Sequence, residues 1–182
     1  MRETVKQGAR GCCRIAGACA LSLGLLLSAS ADRQAAANEP IKLAVYGFEL
    51  IDTSLEGEVS GPRADEQQRL LLIGEELRRR LLDSGRYELV DMAPASERIE
   101  KAGYIHGCNG CDATIAKDLD AEQTMYGTVQ KVSNLILNVN LYVRDVETRE
   151  LLNVWSVDIR GNTDKSWTRG VSYIVRNRLL RD

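Results

Sequence analysis

Two hydrophobic patterns follow one another in residues 41–84, and they predict a strand and then a long helix. Residues 41–48 are apolar nearly throughout, which is typical of a strand covered on both faces. Residues 64–84 repeat apolar side chains at helical spacing, and Gly85 predicts the end of that helix. Between them, residues 52–62 hold two glycines, one proline and few large side chains, which predicts a mobile loop. The apolar stripe of the helix consists of Leu70, Ile73, Leu77 and Leu81.

Three strands and a closing helix are predicted in the second half of the chain. Residues 134–146 alternate apolar and polar side chains, which indicates a half-buried antiparallel strand with an uncharged polar face. The turn at 145–150 joins this strand to the next one, at 151–159, so that the two form a hairpin. Residues 125–132 form the strand before them, and polar residues at 161–164 supply capping groups for the closing helix.

The remaining predicted elements are short. Residues 87–90 form a strand, residues 94–102 form a helix, and the segment that follows Cys111 forms another helix. The resulting order, β-α-β-α-α-β-β-β-α, predicts an α/β (α+β) fold, in which a mixed sheet of about five strands carries helices mainly on one face. We expect a single domain over residues 41–182, preceded by a disordered spacer at 32–40.

The amino-terminal segment has the composition of a signal peptide. Basic residues precede an uncharged apolar run at 15–27, and the small residues Ala29 to Ala31 suit a signal peptidase, with a second cleavage site at 35–37. The run is shorter than the roughly 20 residues that a membrane anchor needs. We therefore expect residues 1–31 to be removed, and the protein to be periplasmic or secreted without a transmembrane anchor after cleavage.

Removal of the signal peptide changes the charge and the cysteine content of the chain. It takes away four of the 24 basic residues and one of the 26 acidic residues, which leaves 151 of the 182 residues with a formal charge of −5. A domain of this size buries a core without the help of metal. Its acidic balance argues against nucleic acid as a partner. Of the five cysteines, only Cys108 and Cys111 are retained.

Several segments resemble the amino-terminal domain of TolB and its relatives in the curli secretion protein CsgG. These segments lie within a pattern that covers most of residues 41–160. The resemblance implies a TolB-N-like fold and a role as an adaptor for other envelope proteins. The chain departs from TolB in having no β-propeller after this domain, so we do not expect the resemblance to extend to a role in the Tol system. The segments are residues 44–48, 84–91, 119–121, 125–129 and 143–148.

A second resemblance is more specific. Residues 131–138 and 158–167 are similar to signatures of a family of uncharacterised secreted bacterial proteins, a domain of unknown function. No activity is assigned to that family. Some of its members are associated with gene neighbourhoods for periplasmic quinoprotein alcohol oxidation, so the resemblance implies an accessory role in such a system as an alternative function.

The cysteine pair has three interpretations. The first, which the sequence favours, is a disulfide between Cys108 and Cys111 that forms in an oxidising compartment and stabilises the loop before a helix. The second interpretation is a redox-active dithiol, because a cysteine just before a helix can have a lowered pKa. In that case the chain would be a thiol-disulfide or redox-accessory protein. The third interpretation is a metal site formed by the two cysteines and His106, which would make the chain a small-ligand or metal carrier. Against it, structural zinc sites usually take their ligands from two pairs that are separated in the sequence. We expect no metal or other cofactor.

The sequence contains no evident catalytic constellation. His106 is the only histidine, so any serine or cysteine triad would depend on it. Neither a nucleophile elbow nor a glycine-rich phosphate loop occurs. The paired carboxylates Asp65 with Glu66 and Glu75 with Glu76 fall on the exposed side of the helical pattern, which indicates a solvated face. The sequence thus predicts a protein that is not an enzyme.

Polar residues near the start of the closing helix are the strongest candidates for a partner surface, since they combine donors, acceptors and a large aromatic side chain. The alternative is local: Thr163 or Asp164 caps the helix, Arg160 pairs with Asp158, and Trp167 lies in the core. A second candidate is the asparagine face of the first hairpin strand, because asparagine is a poor strand former and suggests hydrogen bonding to a partner or a neighbouring strand. The first surface comprises Asp158, Arg160, Asn162, Asp164, Trp167 and Arg169, and the second comprises Asn134, Asn138 and Asn140.

These observations together predict a non-catalytic periplasmic accessory or adaptor protein. Its partner is expected to be another envelope or periplasmic protein, which it contacts through one of the two candidate surfaces. The sequence does not identify that partner.

Overall fold

One mixed sheet of five strands forms the centre of the protein. The computed structural model describes residues 39–181, so the predicted signal peptide and most of the spacer lie outside the described residues. In chain order the strands are β1 (Ile41–Asp52), β2 (Tyr87–Leu89), β3 (Gln123–Lys131), β4 (Leu137–Asp145) and β5 (Leu151–Ile159).

The strands lie side by side in the order β2-β1-β3-β4-β5. β1 is parallel to both of its neighbours, β2 and β3, whereas β4 and β5 continue the sheet in antiparallel pairs. The predicted mixed sheet and the predicted hairpin of β4 and β5 are thereby confirmed.

Five α-helices connect and cover the strands in the described part of the chain. Short 3-10 turns at Ala93–Ala95 and Ile105–Gly107 precede the third and fourth helices, and a π-helical turn at Val175–Leu179 follows the last. Within residues 39–181, no helix has the length and apolar character that a membrane span requires. The helices are α1 (Leu55–Ser60), α2 (Ala64–Asp83), α3 (Ser96–Ala102), α4 (Cys111–Lys117) and α5 (Asp164–Ile174).

The main core lies between one face of the sheet and the helices α2 and α5. The predicted stripe of α2 is buried there, since Leu70, Ile73, Leu77 and Leu81 all belong to the core cluster. α5 contributes Trp167, Val171 and Ile174, and alternate residues of β4 point to the same side. Burial of this apolar surface is the chief stabilising contribution to the fold. We name this side of the sheet the covered face.

The opposite face of the sheet is covered only in part. α4 packs over β1 and β3, where Ala44 and Ala116 belong to a smaller buried cluster. The hydroxyl of Tyr46 donates to the backbone oxygen of Asp112 over 2.7 Å, which ties β1 to this helix. β1 is therefore covered on both sides, as its continuous apolar sequence predicts. Tyr126 and Thr128 of β3 are also buried on this side, whereas the side chains that β4 and β5 place there are half-buried or exposed. We name this side the open face.

A β-bulge interrupts β1 where it runs alongside β3. The pairing register shifts between Val45 and Gly47, and Gly47 has φ +90°. Only glycine adopts this conformation readily, so the residue permits the bulge. After the bulge, Asp52 pairs with Lys131 at the end of β3, which brings two charged residues together at the carboxyl edge of the sheet.

Two sequence predictions, the loop at 52–62 and the start of the strand at 134, are wrong. Residues 52–62 do not form a simple loop, because β1 extends to Asp52 and α1 follows, with the Ser54 hydroxyl accepting from Gly57 N over 3.1 Å. The strand predicted to start at residue 134 starts at Leu137. Ser133 N donates to Ile136 O over 3.2 Å, so the chain turns here and the alternation of side chains begins later.

Candidate functional site

A buried lysine lies at the carboxyl edge of the sheet. The side chain of Lys131 is fully buried, and its Nζ contacts three carboxylates. It lies 2.7 Å from Glu66 Oε1, 3.0 Å from Asp52 Oδ2 and 3.0 Å from Glu56 Oε2. A buried ammonium group is stable when it is paired and hydrogen-bonded in this way. We name these four residues the Lys131 centre.

Each residue of the Lys131 centre comes from a different element. Lys131 is the last residue of β3, and Asp52 is the last residue of β1. Glu66 lies in the first turn of α2 and is fully buried, whereas Glu56 lies in α1 and is one-third exposed. The centre therefore holds α1 and the start of α2 against the ends of two parallel strands.

Asn162 extends this network to α5. Its Nδ2 donates to Glu66 Oε1 over 2.6 Å and to Asn134 Oδ1 over 3.0 Å. Its Oδ1 accepts from Trp167 Nε1 over 3.1 Å and from Arg69 Nη1 over 3.2 Å. Asn134 in turn donates to Glu56 Oε2 over 2.9 Å. The turn before β4 and the turn before α5 are thus bonded to each other and to the Lys131 centre.

Two arginines bridge the acidic residues around the centre. Arg63 contacts Glu56 Oε1 at 2.7 Å and Asp65 Oδ2 at 2.9 Å. Arg69 contacts the same oxygen of Asp65 at 2.8 Å and Asp164 Oδ1, at the start of α5, at 2.8 Å. Three cationic groups and two amide groups therefore contact these carboxylates, which offsets the mutual repulsion of the carboxylates.

These contacts set the protonation of the centre. Burial acts to lower the pKa of Lys131, but hydrogen bonds to Glu66, Glu56 and Asp52 outweigh it and raise that pKa well above its ordinary value. Hydrogen bonds from Lys131, Asn134 and Arg63 lower the pKa of Glu56. For Asp52, burial acts to raise the pKa, yet hydrogen bonds from Ser54 and Lys131 bring it below its ordinary value. Lys131 keeps its proton at neutral pH, so it serves as a cation and not as a nucleophile or base.

A groove lies directly outside this network. Its volume is about 440 Å³, and it lies between the turn before β4 and the end of β5. Leu135 and Ile136 on its rim are 72% and 62% exposed, which is unusual for large aliphatic side chains. One acid and one base, Asp158 and Arg160, flank the apolar residues. The groove is lined by Leu135, Ile136, Leu137, Asp158, Ile159 and Arg160.

The structure divides the first predicted partner surface among three environments. Trp167 is fully buried and hydrogen-bonded, so its inclusion in an exposed surface is wrong. Asn162 and Asp164 join the charged network, and Thr163 caps α5 by accepting from Ser166 N over 3.3 Å. Asp158 and Arg160 line the groove, and Arg169 is exposed on α5.

The three asparagines of the second predicted surface are not on one face. Asn134 lies in the turn, whereas Asn138 and Asn140 point to the open face of β4. There Asn138 Nδ2 donates to Asp158 Oδ1 over 2.8 Å. Asn140 Nδ2 donates to Thr128 Oγ1 over 3.3 Å. The asparagines of β4 therefore bond to neighbouring strands, which is one of the two roles that the sequence suggested.

The cysteine pair closes the segment before α4. The sulfur atoms of Cys108 and Cys111 are bonded to each other, with their Cα atoms 5.5 Å apart. Glu49 of β1 accepts from the backbone nitrogens of Ile105 and His106, at 2.5 and 3.1 Å, and its Oε2 lies 2.6 Å from His106 Nδ1. Glu49 thus fixes the start of this segment to β1, and the hydrogen bond from Tyr46 to the backbone oxygen of Asp112 fixes its end.

This arrangement does not fit the metal interpretation of the cysteine pair. In the disulfide neither sulfur is a thiolate, and a thiolate is the form that binds metal. Among the residues that the structure describes, no group of three or more His, Cys, Asp or Glu side chains is placed to hold a metal ion. The redox interpretation of Cys108 and Cys111 stays a prediction.

Sequence reasoning missed the Lys131 centre. It placed Glu66 and Glu76 on a solvated face, whereas Glu66 is fully buried and the side chain of Glu76 is only 15% exposed. A signal was present, because Glu66 lies four residues before Leu70 and seven before Ile73, on the apolar stripe of α2. A carboxylate in that position requires a buried cation, and Lys131 supplies it.

Comparisons with known proteins give one family and several solved structures. A family model described as a protein of unknown function (DUF2380) matches residues 41–179. None of the curated proteins compared with the chain matches it. Among solved structures, the LpoB C-terminal domain from Salmonella enterica is 17% identical, with a TM-score of 0.49, over 67% of this chain and 84% of that chain.

Two further solved structures are similar to this chain. Lipoprotein GNA1162 from Neisseria meningitidis is 15% identical, with a TM-score of 0.47, over 78% of this chain and 100% of that chain. TolB from Acinetobacter baumannii is 10% identical, with a TM-score of 0.39, over 76% of this chain and 29% of that chain. At such identities the similarity concerns the fold alone.

Proposed function

We propose that this chain, which belongs to the DUF3280 family of proteins of unknown function, is a non-catalytic accessory protein of the bacterial cell envelope that acts by binding another protein. The observation that carries the proposal is the groove, with Leu135 and Ile136 exposed on its rim. The composition of the leader segment supports the envelope location. The partner is a protein that inserts an aliphatic side chain between these two residues and β5.

The turn that carries Leu135 and Ile136 is held firmly. Val132 N donates to Ile136 O over 3.1 Å, and two backbone nitrogens from the turn before α5 donate to backbone oxygens of this turn. These are Asn162 N, to Asn134 O over 2.9 Å, and Gly161 N, to Leu135 O over 3.3 Å. Because the apolar side chains are presented on an ordered turn, little conformational entropy is lost when a partner binds them.

The groove also has the composition of a small protein interface. Exposed aliphatic groups gain free energy when a partner removes them from water, at about 25 cal/mol per Å². Polar groups at the rim then select the partner and its orientation. Here the rim offers one negative and one positive side chain, Asp158 and Arg160, so a partner with charges of both signs beside its aliphatic anchor is favoured.

The test is photo-crosslinking followed by binding measurements. A photoreactive amino acid at position 135 is expected to crosslink one envelope protein in living cells, and mass spectrometry identifies that protein. Binding of the purified pair is then measured for Ile136→Asp, which places a charge on the apolar rim. We expect its dissociation constant to rise by about tenfold or more, since burying an unpaired charge is unfavourable.

Leu71→Asp is the matched control. Leu71 is 70% exposed on α2, away from the groove, so the same change in size and charge there should leave binding unaltered. The proposal is wrong if Ile136→Asp binds the crosslinked protein as tightly as the unaltered chain does. It is also wrong if position 135 yields no crosslink to any envelope protein.

A further inference from the structure

The outward side of α5 carries a row of cations. Lys165, Arg169 and Tyr173 follow one another at intervals of four residues, and Arg176 comes three residues later in the π-helical turn. Side chains at such intervals lie on the same side of a helix. All four are exposed, whereas the opposite side of α5 belongs to the main core. We name these four residues the basic row.

The cations of this helix are not neutralised by carboxylates. On α2, which lies beside α5, three arginines contact carboxylates at 2.5 to 2.9 Å. Among the residues that the structure describes, none of the five cations that follow Asp164 forms an ion pair. Two acidic groups beside α5 are already paired, since Asp164 contacts Arg69 and Glu76 contacts Arg79. The basic row therefore presents positive charge to solvent.

The charge of the whole chain is divided unevenly. Residues 164–182 contain five basic and two acidic residues, which gives them a formal charge of +3. Residues 32–163 contain 15 basic and 23 acidic residues, which gives them a formal charge of −8. The field of a molecule with this distribution turns the basic side toward an anionic surface and the acidic remainder away from it.

We propose that the basic row docks the protein on the surface of a membrane that contains anionic lipids. Residues 165–176 span about 17 Å of helix, and a flat surface can contact the whole row at once because the side chains project to one side. Each Lys or Arg close to an anionic bilayer adds to the affinity. Tyr173, which is 42% exposed, favours a lipid surface, since tyrosine is enriched where lipid headgroups meet water.

Docking of this kind keeps the groove close to the membrane. Arg160 lines the groove and comes four residues before the start of α5. A protein that binds the groove is then held at the same membrane surface. The basic row does not depend on the groove, so the two proposals can fail separately.

The test is co-sedimentation of the purified protein with vesicles. Vesicles of phosphatidylglycerol and phosphatidylcholine in equal parts are expected to bind the protein at low salt, and less of it as salt is added, whereas vesicles of phosphatidylcholine alone are not. Lys165→Gln and Arg169→Gln should each raise the lipid concentration for half-maximal binding by about fivefold, since each removes one cation. Lys101→Gln is the matched control. It removes one cation from an exposed position of α3, which contacts α4 on the opposite side of the sheet, and should have no effect.

Tryptophan fluorescence shows which side of the protein meets the membrane. Tyr173→Trp places an indole in the basic row, and its emission should shift to shorter wavelength when the anionic vesicles are added. Tyr104→Trp makes the same change at a position that is 65% exposed beside His106, and it should show no shift.

Three results overturn the proposal. The first is equal binding, or no binding, to the two kinds of vesicle. The second is an equal effect of Lys101→Gln and Lys165→Gln, because the net charge and not the basic row then determines binding. The third is binding to polyglutamate without binding to the anionic vesicles, because the basic row then serves an acidic protein and not a membrane.

Discussion

Lys131 and Glu66 are both fully removed from solvent, and each is stable there because the other is present. Transfer of a single charge into the protein interior is very unfavourable, and a partner at 2.7 Å offsets this only with further hydrogen bonds. Lys131 has two more carboxylates, while Glu66 has Asn162. One oxygen of Glu66, Oε2, is buried without a hydrogen-bond partner among the described residues, so Glu66 depends especially on Lys131.

Replacement of Lys131 by methionine should therefore destabilise the fold strongly. Lys131→Met keeps the length of the side chain but leaves the buried carboxylate of Glu66 without a cation. We expect the free energy of unfolding, measured with urea, to fall by about 3–5 kcal/mol. Lys165→Met, at an exposed position, is the control and should change it little.

A second variant separates charge from packing. Lys131→Met combined with Glu66→Gln removes the unpaired charge, so it should be more stable than Lys131→Met alone. A loss below about 1 kcal/mol for Lys131→Met, as is typical of a surface ion pair, would show that the centre contributes little.

At the scale of single residues, the sequence predicted the apolar core better than the charged centre. The stripe from Leu70 to Leu81 repeats at a period that only a helix satisfies. Lys131 gave no comparable signal, because a lysine at the end of a strand is usually exposed. Its burial depends on β1, α1 and α2 meeting at one point, which is a property of the tertiary structure.

At the scale of elements, the contact between β1 and β3 is fixed by a glycine. A Cβ atom added to Gly127 would lie 2.2 Å from two carbons of the Phe48 ring, far inside van der Waals contact. Phe48 covers the strand at this point because Gly127 has no side chain. The two residues are direct partners in the register of β1 and β3.

Gly127→Ala should force the ring of Phe48 to move. We expect a loss of about 1–3 kcal/mol in the free energy of unfolding, since overpacking of a core has this effect. Phe48→Leu in the same chain should recover part of that loss because it removes the ring. Gly107→Ala, at a glycine with open space around it, is the control. Equal stability of Gly127→Ala and the unaltered chain would contradict this account of the packing.

The elements themselves were predictable to different degrees. Long periodic segments such as α2 and β5 were predicted with the correct type and nearly the correct ends. α1 was missed because its six residues show no apolar stripe, and its start depends on the Ser54 cap. β4 was predicted to start early because Leu135 continues the alternation by chance, although it lies in the turn.

At the scale of the whole molecule, acid should unfold the protein progressively. In the described part of the chain, several carboxyl groups that accept hydrogen bonds or form ion pairs have pKa values below the ordinary 3.8 of Asp or 4.5 of Glu. For Asp65, hydrogen bonds from Arg63 are the chief cause. The unfolded chain binds more protons than the folded chain as pH falls through this range, so the stability that these groups contribute is lost there. The groups are Asp52, Glu56, Asp65, Glu76, Asp120 and Asp145.

The free energy of unfolding, measured against pH, should therefore be highest above about pH 5 and should fall steadily below about pH 4.5. Asp52→Asn removes one of the groups, so its curve should be shallower in the acid range. A free energy of unfolding that does not change between neutral pH and pH 3 would contradict the contribution of these carboxyl groups.

The fold class and the family were the most reliable predictions at this scale. The order of elements leaves few arrangements for a mixed sheet, and the family-model match confirms the resemblance to a domain of unknown function. The residues of the first candidate partner surface do not lie together in the structure. Trp167 and Arg160 are close in sequence, but α5 turns the first toward the core and the end of β5 leaves the second at the groove.

The order of strands has a consequence for the nascent chain. Among the strands that the structure describes, β1 is synthesised first, and it lies in the interior of the sheet, where Ile41 pairs with Tyr87 and Asp52 pairs with Lys131. Until β3 has emerged, its apolar sequence has only the three-residue strand β2 as a partner, and pairing over such a separation is slow. A chaperone that shields residues 41–52 during this interval would protect the chain from aggregation.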